Sequence, residues 1–127
     1  MVLLYIAAGG VLGTLARYGL SGRILMMTGQ SFPWGTFWVN VIGSLLLGFG
    51  LRVAELTGAG AEIRGLLAIG FCGAFTTFST LTYETIMLLQ SGSWTRAGLY
   101  AFGSLALGLL AIVVGFSLAT LTLRVGG

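Results

Sequence analysis

The stretch GFCGAFTTFSTLTYET, residues 70–85, places five threonines, one serine and one glutamate inside a very hydrophobic chain. Apolar residues make up 57% of the 127 residues and charged residues only 7%, whereas soluble domains carry about 25% charged residues. A run of about 20 apolar residues is long enough to cross the hydrocarbon core of a bilayer as a helix. The composition therefore predicts an all-α membrane protein, and the polar stretch lies inside one of its spans.

The chain contains four apolar runs of that length, separated by short polar or glycine-rich connectors. The third run is the longest, and its roughly 27 residues would extend about 40 Å as a straight helix against a hydrocarbon core of about 30 Å. We predict a single four-helix transmembrane domain, with helices at residues 2–20, 36–56, 64–90 and 97–123.

The centre of the third run is poor in helix-forming residues. Gly70, Gly73, Thr76 and Thr77 cluster there, so we predict that the third helix is broken near Gly73 to Thr77. A broken helix frees backbone carbonyls and amides, which must be buried in protein or line a watery cavity. Carbonyls of two copies meeting on a two-fold axis would suit a small hard cation such as sodium. The alternative is a kink in which threonine hydroxyls bond back to the preceding turn.

The arginines are evenly divided between the two sides of the predicted bundle. Because the Lys/Arg bias of short loops sets orientation, a balanced chain has little preference for either one. We therefore predict dual topology and an antiparallel homodimer, with a permeation path or binding site between the subunits. The alternative is that the amino terminus or the lipid composition selects one orientation. The two sets of three are Arg52, Arg64 and Arg124 against Arg17, Arg23 and Arg96.

Polar and aromatic side chains follow one another after the predicted break. At helical spacing, Phe75, Phe78, Ser79 and Thr82 fall on one face. Hydroxyls and amides donate hydrogen bonds, and the edges of aromatic rings carry partial positive charge, so this face suits a small anion. Glu84 is the acidic residue inside the third run and lies toward its end, which favours a vestibule or simple contact with interfacial water.

Other spans also carry polar side chains. Asn40 in the second run is costly there unless it forms a hydrogen bond, so it either joins two helices or presents its amide to an anion. Tyr100 and Ser104 in the fourth run are four residues apart, which places both hydroxyls on one helix face.

These motifs together resemble the small fluoride channel family, Fluc or CrcB, over the whole chain. The matching segments are GFCGAFTTFST in the third run, GTFWVN in the second and YAFGS in the fourth. The resemblance implies a dual-topology homodimer with two pores in the bacterial plasma (inner) membrane. Such a channel is not an enzyme; it exports fluoride passively down its gradient and so relieves fluoride toxicity in the cytoplasm.

The resemblance also assigns roles to residues. It implies a structural sodium ion on the dimer axis, held by the backbone carbonyls of Gly73 and Thr76. Fluoride is small and strongly hydrated, so a selective pore must replace its water with closely placed donors. The resemblance maps pore residues onto Asn40, Phe78, Tyr100 and Ser104 and vestibule residues onto Arg17 and Glu84. To the predicted pore residues we add Phe75, Ser79, Thr80 and Thr82 from the stretch around the break.

The sequence departs from the family pattern at two positions. Leu81 stands where the family usually has a second pore phenylalanine, and Phe75 is our candidate for a replacement ring. Gly108 stands where the family has a second serine in the fourth helix, which shortens the expected row of hydroxyls.

Two other functional classes fit the sequence less well than a channel. A proton-coupled small multidrug exporter also uses four short helices and dual topology, but it needs an intramembrane carboxylate that the first run lacks. A purely structural subunit would need Asn40 and the hydroxyl face only as helix contacts. The chain contains no histidine and one cysteine, which disfavours a transition-metal site. The arginines are scattered at helix ends, so we expect no nucleic-acid partner.

Overall fold

The computed structural model describes residues 1–125, which are helical apart from short connectors. Among these residues four helical segments are long and apolar enough to cross a membrane, which confirms the predicted number of spans. The third span, Ala61–Gln90, is composed of several elements. The elements are α1 (Val2–Thr28), α2 (Trp34–Thr57), α3 (Ala61–Arg64), a π-helical segment (Gly65–Cys72), α4 (Gly73–Phe75), α5 (Phe78–Gln90) and α6 (Trp94–Val125).

The helices extend further than the apolar runs predicted. The largest difference is in α1, which continues to Thr28 instead of ending at residue 20. The prediction followed side-chain hydropathy, but backbone groups near the membrane still need hydrogen bonds, and long basic side chains can reach toward water from a continuing helix. The connector before α2 therefore shrinks to residues 29–33.

The turns between spans depend on glycine. Gly58 ends α2 in the left-handed conformation, with φ of 65°, and its amide donates to carbonyls of the last turn. Gly92, between α5 and α6, has φ of 78°. Because only glycine adopts these angles without steric cost, the chain reverses within a few residues.

Glycine also brings backbones into direct contact within the bundle. A methyl group added to Gly9 of α1 would collide with the carbonyl oxygen of Leu66, and one added to Gly13 would collide with that of Phe71. Both partners belong to the π-helical segment, so α1 packs on this segment backbone to backbone. A methyl group at Gly48 of α2 would similarly collide with the carbonyl oxygen of Ile112 in α6.

The single chain buries little of its side-chain surface. The largest fully buried side chains in residues 1–125 are Tyr100 and Val39. Many large apolar side chains are exposed on all spans, as expected for a thin bundle whose outer surface contacts lipid or another membrane chain. The described structure is therefore that of a multi-pass membrane protein.

Candidate functional site

The polar stretch of the third span surrounds a short extended link. Thr76 has φ of −83° and ψ of 157°, and Thr77 has φ of −148° and ψ of 114°. The hydroxyl of Thr76 bonds back to the carbonyl of Cys72 at 2.9 Å, while the hydroxyl of Thr77 accepts the amide of Thr80 at 3.2 Å and so caps α5. Two neighbouring threonines thus finish one helix and begin the next.

Asn40 of α2 holds this link through two hydrogen bonds. Its Oδ1 accepts the backbone amide of Thr77 at 2.7 Å, and its Nδ2 donates to the carbonyl of the same residue at 3.1 Å. Within the single chain, Asn40 therefore joins two spans, which is the first of the two roles predicted for it. The second proton of its Nδ2 remains available to another acceptor.

The link also releases two carbonyls from helical hydrogen bonding. The amide of Thr77 would bond to the carbonyl of Gly73 in a continuous helix, but it donates to Asn40 instead. The amide of Thr80 likewise bonds to the hydroxyl of Thr77 rather than to the carbonyl of Thr76. The carbonyl of Thr76 instead accepts Nη1 of Arg17 at 3.4 Å, which places this predicted vestibule residue beside the link.

Carbonyl oxygens are hard ligands of the kind that sodium prefers, so the released carbonyls fit the predicted cation. Residues 1–125 contain no cluster of three or more His, Cys, Asp or Glu side chains that would form a side-chain metal centre.

Glu84 of α5 joins three helices through its carboxylate. Oε1 accepts the hydroxyl of Thr36 in α2 at 2.8 Å, and Oε2 accepts the hydroxyl of Tyr100 in α6 at 2.8 Å. Both donors are buried, with exposed fractions of 8% for Thr36 and 0% for Tyr100. The predicted pairing of Tyr100 with Ser104 did not include Thr36, although its position four residues before Asn40 on the same helix was a usable signal.

A groove of about 660 Å³ lies along α2, the link, α5 and α6. It brings together four of the predicted pore residues, Asn40, Phe78, Thr82 and Ser104. Ser104 is only 6% exposed, and its hydroxyl has no hydrogen-bond partner within residues 1–125. No charged residue lines the groove. Buried hydroxyls normally have hydrogen-bond partners, so the Ser104 hydroxyl is available to an acceptor that the single chain does not supply.

A second groove of about 890 Å³ lies between α1, the start of α2 and α5. Glu84 and Thr80 line it together with Arg23 of α1. Ser79 lines neither groove and is exposed. The two grooves therefore collect only some of the predicted site residues. The others line neither groove: Arg17, Gly73, Phe75, Ser79 and Tyr100.

The family follows from a sequence comparison. A family model described as "CrcB-like protein, Camphor Resistance (CrcB)" matches residues 4–116. The chain belongs to the CrcB family. This finding confirms the resemblance found in the sequence.

Several relatives that align with most of the chain are named as fluoride channels. The "Fluoride-specific ion channel FluC" of one strain of Thermus thermophilus is 50% identical over 115 residues, which cover 91% of each chain. The protein of the same name from a second strain of that species is 49% identical and covers 91% of this chain and 92% of its own. A protein with this name from Nitratidesulfovibrio vulgaris is 48% identical over 118 residues, which cover 91% of this chain and 94% of the relative.

Phe75, the ring predicted to replace the one that Leu81 lacks, is placed differently from our expectation. Phe75 is only 3% exposed and stacks on Phe71, with ring centroids 5.6 Å apart, whereas Phe78 is 78% exposed. The expectation that the two rings share a helix face is wrong, because the extended backbone of the link interrupts the helical spacing between them. Phe75 packs against Gly43 of α2 instead, where an added methyl group would approach its ring to 3.0 Å.

Proposed function

We propose that this chain is a fluoride-specific ion channel. The observation that carries the proposal is the groove around Ser104, in which a buried hydroxyl without a partner faces a surface free of charged side chains. Fluoride accepts hydrogen bonds and donates none, so it matches a site composed of unused donors. The names of relatives about half identical over nine tenths of the chain support the same function.

The residues of the groove would replace the water of a dehydrated fluoride ion. The donors within reach of the groove are the Ser104 hydroxyl, the second Nδ2 proton of Asn40 and the backbone amide of Phe78 at the start of α5, where a helix has no carbonyl of its own to offer. The amino terminus of α5, which is the positive end of its helix dipole, also lies at this groove, because Phe78 lines it. The exposed ring of Phe78 adds an electropositive edge and keeps the path narrow.

The groove is incomplete in a single chain, and we propose that a second copy covers it. Polar groups at membrane depth must be buried in protein or line a watery cavity, so an open groove beside lipid would be unfavourable. An antiparallel homodimer related by a two-fold axis in the membrane plane would cover one groove on each chain and give two pores. The even division of six arginines between the two sides supports insertion in both orientations.

In this dimer, we propose that the carbonyls of Gly73 and Thr76 from both chains hold a structural sodium ion on the axis. Gly73 is exposed in the single chain, which leaves its carbonyl accessible to a partner. A bound cation would compensate the carbonyl dipoles that the link releases. The chain's own contribution is to fix those carbonyls in place, through the two bonds from Asn40 to Thr77.

We place the channel in the plasma (inner) membrane of a bacterium, where passive conduction lets fluoride leave the cytoplasm down its gradient. The exporter alternative has less support, because proton coupling needs a carboxylate that exchanges with a cationic drug. Glu84 is instead bonded to two buried hydroxyls, and the Ser104 groove carries no acid.

The decisive experiment is fluoride efflux from liposomes reconstituted with the purified protein, followed with a fluoride electrode. We expect rapid fluoride release and no chloride release from matched liposomes. Replacement of sodium by a large organic cation on both sides should slow efflux if the cation is structural. Absence of fluoride efflux from a monodisperse dimer would overturn the channel assignment, and efflux of both halides would overturn its specificity.

A further inference from the structure

The helices α2 and α6 lie side by side with matching positions in register. Thr36 and Tyr100 meet at the two oxygens of Glu84. Two turns further along, a methyl group added to Gly108 would lie 3.5 Å from the hydroxyl oxygen of Ser44. Thr36 therefore lies beside Tyr100, Ser44 lies beside Gly108, and the residues between them pair in the same register.

This register defines three successive levels along the face that carries the groove. The first level holds Thr36 and Tyr100, whose hydroxyls are bonded to Glu84 just outside the groove. The second level holds Asn40 and Ser104 inside the groove, and each level is one helical turn from the next. At the third level α6 has only Gly108, so α6 provides no donor there. The donor at that level is the hydroxyl of Ser44, which lines the groove together with Asn40 and Ser104.

We propose that Ser44 is a further pore residue of this chain, which supplies the third-level hydroxyl that Gly108 leaves missing. The proposal rests on the proposed channel function of the same groove. Donors at the second and third levels let fluoride pass from Ser104 to Ser44 without regaining a full water shell between them. Without Ser44 the ion would leave Ser104 into a stretch lined by leucine and glycine.

The hydrogen bond that Ser44 makes in the structure is compatible with this role. Its hydroxyl donates to the carbonyl of Asn40 at 2.8 Å, one turn earlier in the same helix. That carbonyl already accepts the backbone amide of Ser44 in the regular helix, so it is not left unsatisfied when the hydroxyl rotates toward an ion. A hydroxyl hydrogen rotates readily, and a charged acceptor gives a stronger bond than a carbonyl does.

The steric surroundings make a direct test available. The Cβ of Gly108→Ser would lie 3.5 Å from the Ser44 hydroxyl oxygen, which is ordinary van der Waals contact, so this substitution brings a second hydroxyl to the same level. We expect Ser44→Ala to lower fluoride efflux from liposomes by about threefold to tenfold, since one donor to the ion is lost. The double variant with Ser44→Ala and Gly108→Ser should recover most of the lost efflux.

Ser117→Ala is the matched control. Ser117 lies on α6, is exposed and donates to the carbonyl of Val113 at 2.9 Å, so it makes the same kind of back-bond outside the groove. We expect wild-type efflux from this variant. A general effect of removing a back-bonded serine would instead lower efflux in both alanine variants.

The outcomes separate the two proposals. If the wild-type protein releases no fluoride, the channel assignment fails and the role of Ser44 fails with it. If the wild type conducts and Ser44→Ala conducts equally, only the role of Ser44 is overturned. Reduced efflux that Gly108→Ser does not restore would indicate a structural role, provided that Gly108→Ser alone conducts normally. If Gly108→Ser alone is inactive, Ser44→Thr decides, because it keeps the hydroxyl: efflux above that of Ser44→Ala supports the proposal, and equal efflux overturns it.

Discussion

The two halves of this bundle bury helix faces in opposite ways. Where α1 meets the π-helical segment, glycines bring backbones together and no polar side chain is required. Where the link and α5 meet α2 and α6, polar side chains form the contacts, and Asn40 and Glu84 join helices by hydrogen bonds. Glycine packing returns between α2 and α6 at Gly48. Close backbone packing gives a rigid support, while polar contacts leave donors that an ion can use. The glycine contacts therefore form the supporting part of the bundle, and the polar contacts form the candidate site. The single chain has too few buried side chains to form a conventional core.

The largest effect should come from the glycine contact. Gly9→Ala places a methyl group against the carbonyl of Leu66 and the amide of Phe71, so the two helices must separate, at a cost of about 3 kcal/mol or more. We expect loss of the monodisperse species in size-exclusion chromatography. Gly10→Ala is the neighbouring control, because nothing lies within 4 Å of its added methyl group. Equal behaviour of the two variants would show that this contact does not support the fold.

Asn40→Ala should have the next largest effect, because it removes both bonds to the backbone of Thr77. We expect the free energy of unfolding to fall by about 2 kcal/mol and fluoride efflux to fall by at least about tenfold, since the link and one donor are lost together. Asn40→Asp, which can accept the amide but cannot donate, should also fail. Wild-type efflux from either variant would contradict the role given to the hydrogen bonds between Asn40 and Thr77.

Tyr100→Phe should have an intermediate effect. It removes one of the two hydroxyls that bond to Glu84 while preserving the buried ring. Hydrogen bonds to charged groups contribute about 1.5 to 3 kcal/mol, so we expect a lower thermal unfolding midpoint and fluoride efflux reduced severalfold. Tyr83→Phe is the matched control, because Tyr83 is 65% exposed. A similar loss in both variants would argue against a specific role for the Glu84 contacts.

Leu81→Phe should have the smallest effect. Leu81 lines the Ser104 groove near Phe78, so a ring there would add an electropositive edge to the path. We expect fluoride efflux to stay within about twofold of the wild type or to rise, with chloride still excluded. Leu110→Phe, at an exposed position outside the groove, controls for added bulk. A sharp drop confined to Leu81→Phe would mean that the groove has no room for a second ring.

Several features of the molecule were predictable because they depend on local composition. Each of the four spans needs only a long apolar run, so their number followed from hydropathy. The ends of α1 did not, because a helix continues through interfacial residues that hydropathy scores as polar. The expected face shared by Phe75 and Phe78 failed for a related reason: periodicity describes a face only while the backbone stays helical.

The sequence by itself determined that this is a four-span membrane protein and that its polar residues concentrate in the second, third and fourth spans. It also supplied the motifs that identify the CrcB family. Only the tertiary structure decided that Asn40 bonds to Thr77, that Thr36 shares Glu84 with Tyr100, and that Ser44 lies opposite Gly108. These pairs join residues far apart in the chain, and their meeting depends on the register of packed helices, which no local pattern of side chains specifies.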